Sequence, residues 1–423
     1  MRALSSNRIW TTTAAAILCA APGAIAGDPP EGEGAEPAAL AADRPAGWTW
    51  NAVKGLSHVS ADGERTLKVF GRVQNDWAFH SADDAIVADK GPFIDGTEFR
   101  RARLGVSGTL YENVGYKAEY DFAGGDADFK DVFMTLADVG PGSVKVGHFK
   151  EPFSLEELTS SKYLTFLERS LPNAFAPSRN TGASLYGDTD DVTWAVGVFR
   201  ATDGFGNDVN SGSDAEYAAT GRITYAPIYE EDGAKVVHVG AAYSARSAEN
   251  GSVRFRSSPE DHQAPRVADS GTFAADGFDL LGVEAAWVHG ALSLQAELIQ
   301  ATVDAAAGGD PDLTGFYVYA SWFLTEGDHR NYKKSAGAFD RVSPRANWGP
   351  DGVGAWELVA RFSSLDLTDS GLAGGELDDV TLGVNWYLNP HTRVMLDYVT
   401  GELTDDTSQG DIDALLLRFQ VDF

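Results

Sequence analysis

Arginine residues at alternate positions are the side chains of this sequence best suited to specific chemistry. Arg72 lies in the stretch 67–74, and Arg101 and Arg103 lie in a second stretch, each among alternating apolar residues or glycine. If these stretches are β-strands, the pleat sends all three side chains to the polar face. A guanidinium group donates two parallel hydrogen bonds to a carboxylate or phosphate. The pattern therefore predicts three arginine side chains on the polar face of a sheet, where each could pair with a carboxylate or with a phosphate-type anion.

The strands that would carry these arginines belong to a period-two pattern along the whole chain. A tilted strand that crosses a bilayer needs about 9–11 residues. With their flanks, most of the segments have 9 to 13 residues. The sixteen segments are 67–74, 101–110, 114–122, 132–136, 144–148, 183–187, 192–198, 217–225, 237–245, 281–287, 292–298, 316–324, 356–362, 380–388, 394–398 and 415–423.

Two kinds of architecture have this alternation: a soluble sandwich or propeller, and a transmembrane barrel. A sandwich has strands nearer 5–6 residues and buries one face against a second sheet. Here the polar face carries charges such as Lys117, Glu119, Asp121 and Arg361. Burying them in a sandwich would cost several kcal/mol each, whereas a water-filled lumen solvates them. We therefore predict an all-β fold, a 16-stranded antiparallel transmembrane β-barrel.

The N-terminal segment predicts export. Arg2 and Arg8 precede a short apolar stretch, and Ala24-Ile25-Ala26 supplies a cleavage signature. We assign residues 1–26 to a signal peptide that contains the only cysteine, 27–60 to an acidic flexible lead-in, and 61–423 to the barrel domain. The terminal Phe423 after an alternating strand favours the bacterial outer membrane.

Composition and motifs exclude several functions. The formal charge of −29 argues against a nucleic-acid partner, which requires a basic face. The eight histidines are scattered without metal-ligand spacing, and neither a Gly-x-Ser-x-Gly elbow nor a Gly-rich phosphate loop occurs. We expect no enzyme activity, catalytic residue, cofactor or metal site.

The connections between the segments predict the position of a pore. Tight turns at Asn113, Gly290 and Asn389-Pro390 alternate with longer acidic loops, as in outer-membrane barrels. Residues 150–180 form the third long connection and are too apolar to lie in solvent. We expect this loop to fold into the barrel and to narrow the pore.

Four segments together resemble the phosphate-selective porins of the O and P type. They are Val53-Lys54-Gly55-Leu56, Phe99-Arg100-Arg101-Ala102-Arg103-Leu104-Gly105, Asp121-Phe122-Ala123-Gly124-Gly125 and the loop from Lys150 to Asn180. The resemblance implies a homotrimer of 16-stranded barrels in outer-membrane lipid and lipopolysaccharide. It also implies that the inward-folded third loop helps to bind small anionic solutes.

The same resemblance assigns the anion site residue by residue. It implies that loop residues act together with wall residues, and that an acidic residue orients them. The implied positions are Ser160, Ser161, Lys162 and Arg169 in the loop, Arg72, Arg100 and Arg101 on the wall, and Asp131 as the acidic partner. Arg103 joins them through the pleat. Arg246, Arg254 and Arg256 are similar to a short part of the arginine ladder that leads anions through an outer vestibule.

The charges of the inward face leave alternatives open. Eleven basic and ten acidic residues fall on the predicted lumen face, so their sum nearly cancels. An anion preference must then come from local clustering at the constriction. A phosphate-type anion porin, a general or cation-tolerant diffusion porin, and a plugged barrel that serves as an anchor or surface-interaction protein all fit this pattern.

Overall fold

The computed structural model describes residues 46–51, 55–207 and 217–423, which form a closed barrel of sixteen antiparallel strands. The barrel closes because the last strand pairs with the first, from Asp422 opposite Arg72 to Ile412 opposite Ala82. The strands are β1 (Thr66–Ala82), β2 (Gly96–Leu110), β3 (Val114–Asp121), β4 (Asp128–Val139), β5 (Gly142–Lys150), β6 (Arg179–Asp188), β7 (Val192–Arg200), β8 (Tyr217–Glu230), β9 (Lys235–Ser247), β10 (Phe273–His289), β11 (Leu292–Ala305), β12 (Asp312–Phe323), β13 (Ala355–Asp366), β14 (Glu376–Asn389), β15 (Thr392–Thr404) and β16 (Gln409–Asp422).

The alternation of the sequence decides which side chains face outward. In β1, Val73 and Trp77 are each 43% exposed on the outer surface, whereas Arg72 and Gln74 are buried on the inner side. Apolar side chains thus meet hydrocarbon and polar ones meet the lumen, as a membrane barrel requires. The prediction of a 16-stranded antiparallel barrel is confirmed. No helix in the described part of the chain is long and apolar enough to cross a membrane.

Long connections lie at one end of the barrel and mostly short turns lie at the other. The long ones include residues 83–95, which contain the helix α1 (Asp84–Lys90), and residues 248–272, which contain the short strands Ser252–Val253, Arg256–Ser257 and Ala268–Asp269. The short turns have two to four residues, as at 111–113 and 290–291.

One connection at the short-turn end contradicts the predicted alternation of tight turns. Residues 324–354 join β12 to β13 and contain the small hairpin Tyr332–Lys333 and Ala338–Phe339 with a 3-10 turn at Lys334–Ala336. Tyr332 and Phe339 are each 3% exposed and pack against wall residues such as Val236. Buried aromatic residues therefore stabilise an excursion that strand alternation does not reveal.

The connection between β5 and β6, residues 151–178, is buried along most of its length. It contains the helix α2 (Leu155–Leu158) and a 3-10 turn, Leu171–Ala174. Ser154 caps α2 by accepting a hydrogen bond from the Glu157 N–H at 3.0 Å. Three of the apolar side chains that the sequence places here, Leu155, Phe166 and Leu167, are at most 2% exposed.

A short hairpin precedes the barrel. Its strands are Gly47–Asn51 and Gly55–Val59, and the second strand pairs with residues 66–69 of β1. The described part of the predicted flexible lead-in, 27–60, is therefore largely strand. Elsewhere in the barrel, a 3-10 turn at Glu231–Gly233 lies between β8 and β9. The predicted signal peptide, 1–26, lies outside the described residues.

Candidate functional site

A β-bulge turns two consecutive arginines toward the inside of the barrel. Arg101 pairs with Gln74 and Phe99 pairs with Asn75, so Arg100 is the extra residue of β2. Phe99 remains outside, with 60% of its surface exposed. Arg100 donates two hydrogen bonds, of 2.9 and 3.1 Å, to the Glu168 carboxylate. Strict alternation places Arg100 on the lipid side, and the bulge explains why it faces inward.

Arg72 of β1 connects the wall to the 151–178 loop. Its Nη1 donates to the Ser161 hydroxyl at 2.8 Å and to the Ser160 hydroxyl at 3.3 Å. Its Nη2 donates to Glu119 Oε1 at 2.8 Å. The strand and the loop thus hold one buried guanidinium between two hydroxyls and one carboxylate.

Two further carboxylates position the cations next to Arg72. Asp121 accepts a hydrogen bond from Arg103 Nε at 2.7 Å. Asp131 accepts from Arg179 Nε at 2.7 Å and from Lys117 Nζ at 2.8 Å. Charge-assisted bonds of this length fix the direction of each side chain. Asp131 therefore orients cationic side chains of the cavity. These are Lys117 and Arg179, which are not among the residues of the predicted site.

Arg169 has a structural task inside the loop. Its guanidinium donates to the backbone carbonyls of Glu156, Glu157 and Thr159 at 2.9 to 3.0 Å. A short helix leaves its last carbonyls without intrahelical partners, and a nearby guanidinium satisfies them. Arg169 therefore stabilises the C-terminal end of α2 while it contributes charge to the site.

These residues surround one cavity of about 370 Å³ between the loop and strands β1 to β6. Eight of the nine predicted constriction residues line it: Arg72, Arg100, Arg101, Arg103, Asp131, Ser160, Ser161 and Arg169. Its lining includes nine Lys or Arg residues but only three carboxylates, those of Asp131, Glu157 and Asp203. The cavity lining is therefore positive even though the predicted lumen charge nearly cancels, and Glu119, Asp121 and Glu168 pair with its arginines from behind the lining.

Lys162 lies outside this cavity. It lines a separate small pocket with Arg341 and Gln420, and its ammonium lies 5.2 Å from the ring centroid of Tyr163. The Lys162 carbonyl accepts a hydrogen bond from Gln420 at 3.1 Å. The turn that brings Ser160 and Ser161 to Arg72 directs the next side chain toward the short-turn end.

The three predicted vestibule arginines do not line the cavity either. Arg246 donates to Glu151 Oε2 at 2.7 Å. Arg254 forms an exposed ion pair with Asp269, and Arg256 lies exposed in a short strand beside the same aspartate.

The cavity also contains cations that the predicted site omitted: Lys117, Lys130, Lys150 and Arg179. Lys150 and Arg179 flank the loop in sequence, which was the available signal for both. Lys117 alternates with Glu119 on β3, so its inward direction could be predicted but not its shared partner Asp131. Within the described residues, no group of three or more His, Cys, Asp or Glu is placed to hold a metal ion.

The closed barrel with long strands and an apolar outer surface defines an outer-membrane β-barrel, and similar solved structures agree. An anion-selective porin from Comamonas acidovorans aligns with 85% of this chain and 100% of its own length, with a TM-score of 0.55 and 15% identity. The outer membrane channel DcaP of Acinetobacter baumannii aligns with 86% of this chain and 99% of its own length, with a TM-score of 0.54 and 12% identity.

The sequence comparisons define the family. The sequence model of the family phosphate-selective porin O and P matches residues 67–423, so the chain belongs to this family of outer-membrane porins. It is 27% identical to Porin O of Pseudomonas aeruginosa over 412 residues, which cover 87% of this chain and 91% of that protein. It is 32% identical to a protein of Caulobacter vibrioides over 376 residues, which cover 86% of this chain and 73% of that protein.

Proposed function

We propose that the protein is a passive channel for small anions of the phosphate type, narrowed by the 151–178 loop. The observation that carries the proposal is the cavity in which nine basic residues face three carboxylates. Selectivity through clustered Arg and Lys is a recognised device of anion pores. Family membership and the anion selectivity of the Comamonas acidovorans porin support the same solute class.

The inward position of the loop is part of the proposal, and its hydrogen bonds to the wall support it. Side chains of the strands donate to the loop backbone: Asn385 to the Thr165 carbonyl at 2.8 Å and Arg393 to the Leu164 carbonyl at 2.7 Å. Carboxylates accept from loop N–H groups, as Asp397 does from Leu167 at 2.8 Å. These partners belong to β14 and β15, which lie beside β16 and β1 in the closed wall. The passage would then run between the loop and strands β1 to β6, where the basic cavity lies.

Fixed carboxylates next to the cations explain how such a site releases an anion. Glu119 lies 2.8 Å from Arg72, and Glu168 lies 2.9 Å from Arg100. Each carboxylate offsets part of the attraction that its arginine exerts on a passing anion. Conduction requires binding that is favourable enough for entry and weak enough for exit.

The hydroxyls of Ser160 and Ser161 suit an anion that has lost part of its water. Both lie at the cavity surface and both accept from Arg72. A serine hydroxyl can accept from arginine and donate its own proton to a phosphate oxygen. The proposed role of Arg72 is thus to hold the hydroxyls of Ser160 and Ser161 toward the solute. The positive charge of Arg72 attracts the same solute.

We also propose a homotrimer whose outer surface contacts outer-membrane lipid and lipopolysaccharide. Family membership supports this arrangement. The mass of the detergent-extracted particle, measured by light scattering with the detergent contribution subtracted, tests it. Three chains per particle are expected, and a stable monomer would contradict the trimer without affecting the pore.

Planar-bilayer recording tests the channel function. In a potassium chloride gradient we expect a reversal potential on the anion-selective side, and added phosphate should block the chloride current at low concentration. A cation-selective or unselective current would favour the general porin. The lack of any conductance would favour a plugged barrel acting as an anchor.

A further inference from the structure

A row of four inward side chains crosses the barrel wall beside the basic cavity. The strand register places Arg101 of β2 opposite Gln74 of β1, Gln74 opposite Gln420 of β16, and Gln420 opposite Arg393 of β15. Gln74 Nε2 donates to Gln420 Oε1 at 2.6 Å, and Arg393 Nη2 donates to the same oxygen at 3.1 Å. All four side chains belong to residues that are at most 4% exposed. The row therefore connects two guanidinium groups through two amides that carry no charge.

Gln74 holds the Arg101 guanidinium in one direction. Its Nε2 donates to the Ser161 carbonyl at 3.0 Å as well as to Gln420, so the amide nitrogen faces two acceptors. The amide oxygen then faces Arg101 and accepts a hydrogen bond from Nη1 at 2.8 Å. A buried amide keeps the orientation that satisfies both of its ends. Gln74 therefore links the cavity arginine to the loop residue whose hydroxyl accepts from Arg72.

The partner of Arg101 differs in charge from the partners of the other wall arginines of the cavity. Those three donate to carboxylates: Arg72 to Glu119, Arg100 to Glu168 and Arg103 to Asp121. Among the described residues, Arg101 instead donates to the uncharged Gln74 amide, and its ion pair with Glu168 is long, at 3.9 Å. A neutral acceptor orients a guanidinium group without neutralising it, whereas an adjacent carboxylate offsets much of its field. Arg101, which lines the cavity, thus keeps more of its charge for an anion.

We propose that Gln74 is a positioning residue of the anion site, which directs Arg101 into the basic cavity and leaves its charge available to the solute. This inference rests on the proposed anion-channel function and adds to it a residue that does not itself touch the anion. Arg101 is then the wall arginine that attracts the anion most strongly. Without the Gln74 amide, the Arg101 guanidinium can turn toward Glu168 and lose this advantage.

Phosphate block of the chloride current in single-channel recordings of variants tests the role of Gln74. Gln74→Glu keeps the size of the side chain and places a carboxylate on Arg101, whereas Gln74→Leu removes the amide and adds no charge. Both variants lose the donor to the Ser161 carbonyl, so the difference between them measures the effect of the charge. Gln295→Glu is the matched control, because Gln295 is a 2% exposed glutamine of β11 that bonds two tyrosine hydroxyls outside the lining of the basic cavity.

Gln74→Glu should raise the phosphate concentration that blocks half of the chloride current about tenfold, and Gln74→Leu should raise it about threefold. Gln295→Glu should change it by less than about twofold, since sites that share no partner act independently. In a channel that already carries Arg101→Gln, the addition of Gln74→Glu should have little further effect, because residues in contact are not additive. A displacement of the loop alone would not depend on Arg101 in this way.

The outcomes distinguish this inference from the function on which it rests. If phosphate blocks the unaltered channel and Gln74→Glu does not exceed Gln74→Leu, the role of Gln74 is overturned alone. An effect of Gln74→Glu that persists in Arg101→Gln, or an equal effect of Gln295→Glu, overturns it as well. Should Gln74→Glu fail to insert into the bilayer, an unchanged half-block in Gln74→Leu overturns the positioning role. An unaltered channel that phosphate does not block overturns the proposed function itself.

Discussion

The Arg72 guanidinium donates a hydrogen bond of 2.8 Å to the hydroxyl of Ser161, a residue 89 positions further along the chain. This contact joins the first strand of the barrel to the loop that follows the fifth strand. It places a cation and a hydroxyl side by side at the surface of the basic cavity. The interaction between wall and loop, rather than either element alone, therefore forms the proposed anion site.

Replacement of Arg72 tests that interaction. Arg72→Ala removes a charge-assisted bond of about 1.5–3 kcal/mol, so half-block of the chloride current should require about 10 to 100 times more phosphate. Arg72→Lys keeps the charge but not the forked geometry. The phosphate concentration for half-block should therefore lie between the values for the unaltered channel and for Arg72→Ala. Bilayer titration with phosphate measures the change, and Lys235→Ala, which removes a basic residue in an exposed pair with Glu231, should have no effect. Equal block in Arg72→Ala and the unaltered channel would contradict the assignment.

Removal of a carboxylate that pairs with the arginines should strengthen anion selectivity, whereas removal of Arg72 should weaken anion binding. Glu168 accepts hydrogen bonds from Arg100 and from Arg418, and it lies 3.9 Å from Arg101. Glu168→Gln keeps a hydrogen-bond acceptor but leaves the positive charges less compensated. The chloride-to-potassium permeability ratio should therefore rise, measured as the reversal potential in a salt gradient. A fall in the ratio would show that Glu168 acts by supporting the loop and not through its charge.

Individual hydrogen bonds from the barrel wall hold the 151–178 loop in position. Asp397 Oδ2 accepts from the Leu167 N–H at 2.8 Å. Asp397→Leu leaves this buried N–H without a partner, which costs about 1–3 kcal/mol and should let the loop fluctuate. Open-channel current noise should rise in Asp397→Leu and stay low in Asp397→Asn, which retains an acceptor oxygen. Equal noise in both variants would indicate that the loop is held elsewhere.

A pH effect is expected at the outer end of the barrel. Burial raises the pKa of Asp405, but hydrogen bonds from Lys90, Thr407 and Ser408 outweigh it and hold the pKa well below its usual range. The stabilisation is therefore present at neutral pH and is lost only as the pH falls through that lowered pKa. The unfolding midpoint of the unaltered protein should exceed that of Asp405→Asn from pH 8 to about 5, and the two should converge in stronger acid. A difference that already vanishes near pH 5 would contradict the lowered pKa.

The strands of this barrel could be predicted from the sequence because one physical rule acts on every residue in them. Val73 faces outward to hydrocarbon and Arg72 faces the polar interior of the barrel, and this alternation repeats along the strands. The apolar composition of 150–180 likewise indicated a buried loop. Its partners could not be predicted, because Asp397 and Asn385 lie more than 200 residues away in sequence.

The remaining differences between the predicted and the observed structure have local causes that alternation does not encode. The bulge at Arg100 adds one residue to β2, which a period-two pattern cannot locate. The direction of Lys162 depends on a turn after Ser161, and the 324–354 connection depends on the packing of Tyr332 and Phe339. The clustering of nine cations at one cavity follows from these three-dimensional details and not from the summed lumen charge.

The reversal potential of the unaltered channel in a tenfold potassium chloride gradient, with and without phosphate, tests the central claim most directly. The basic cavity predicts that chloride is more permeant than potassium and that phosphate on one side reduces the chloride current. A reversal potential that favours potassium, or a chloride current that phosphate leaves unchanged, would contradict the proposed phosphate-type anion channel.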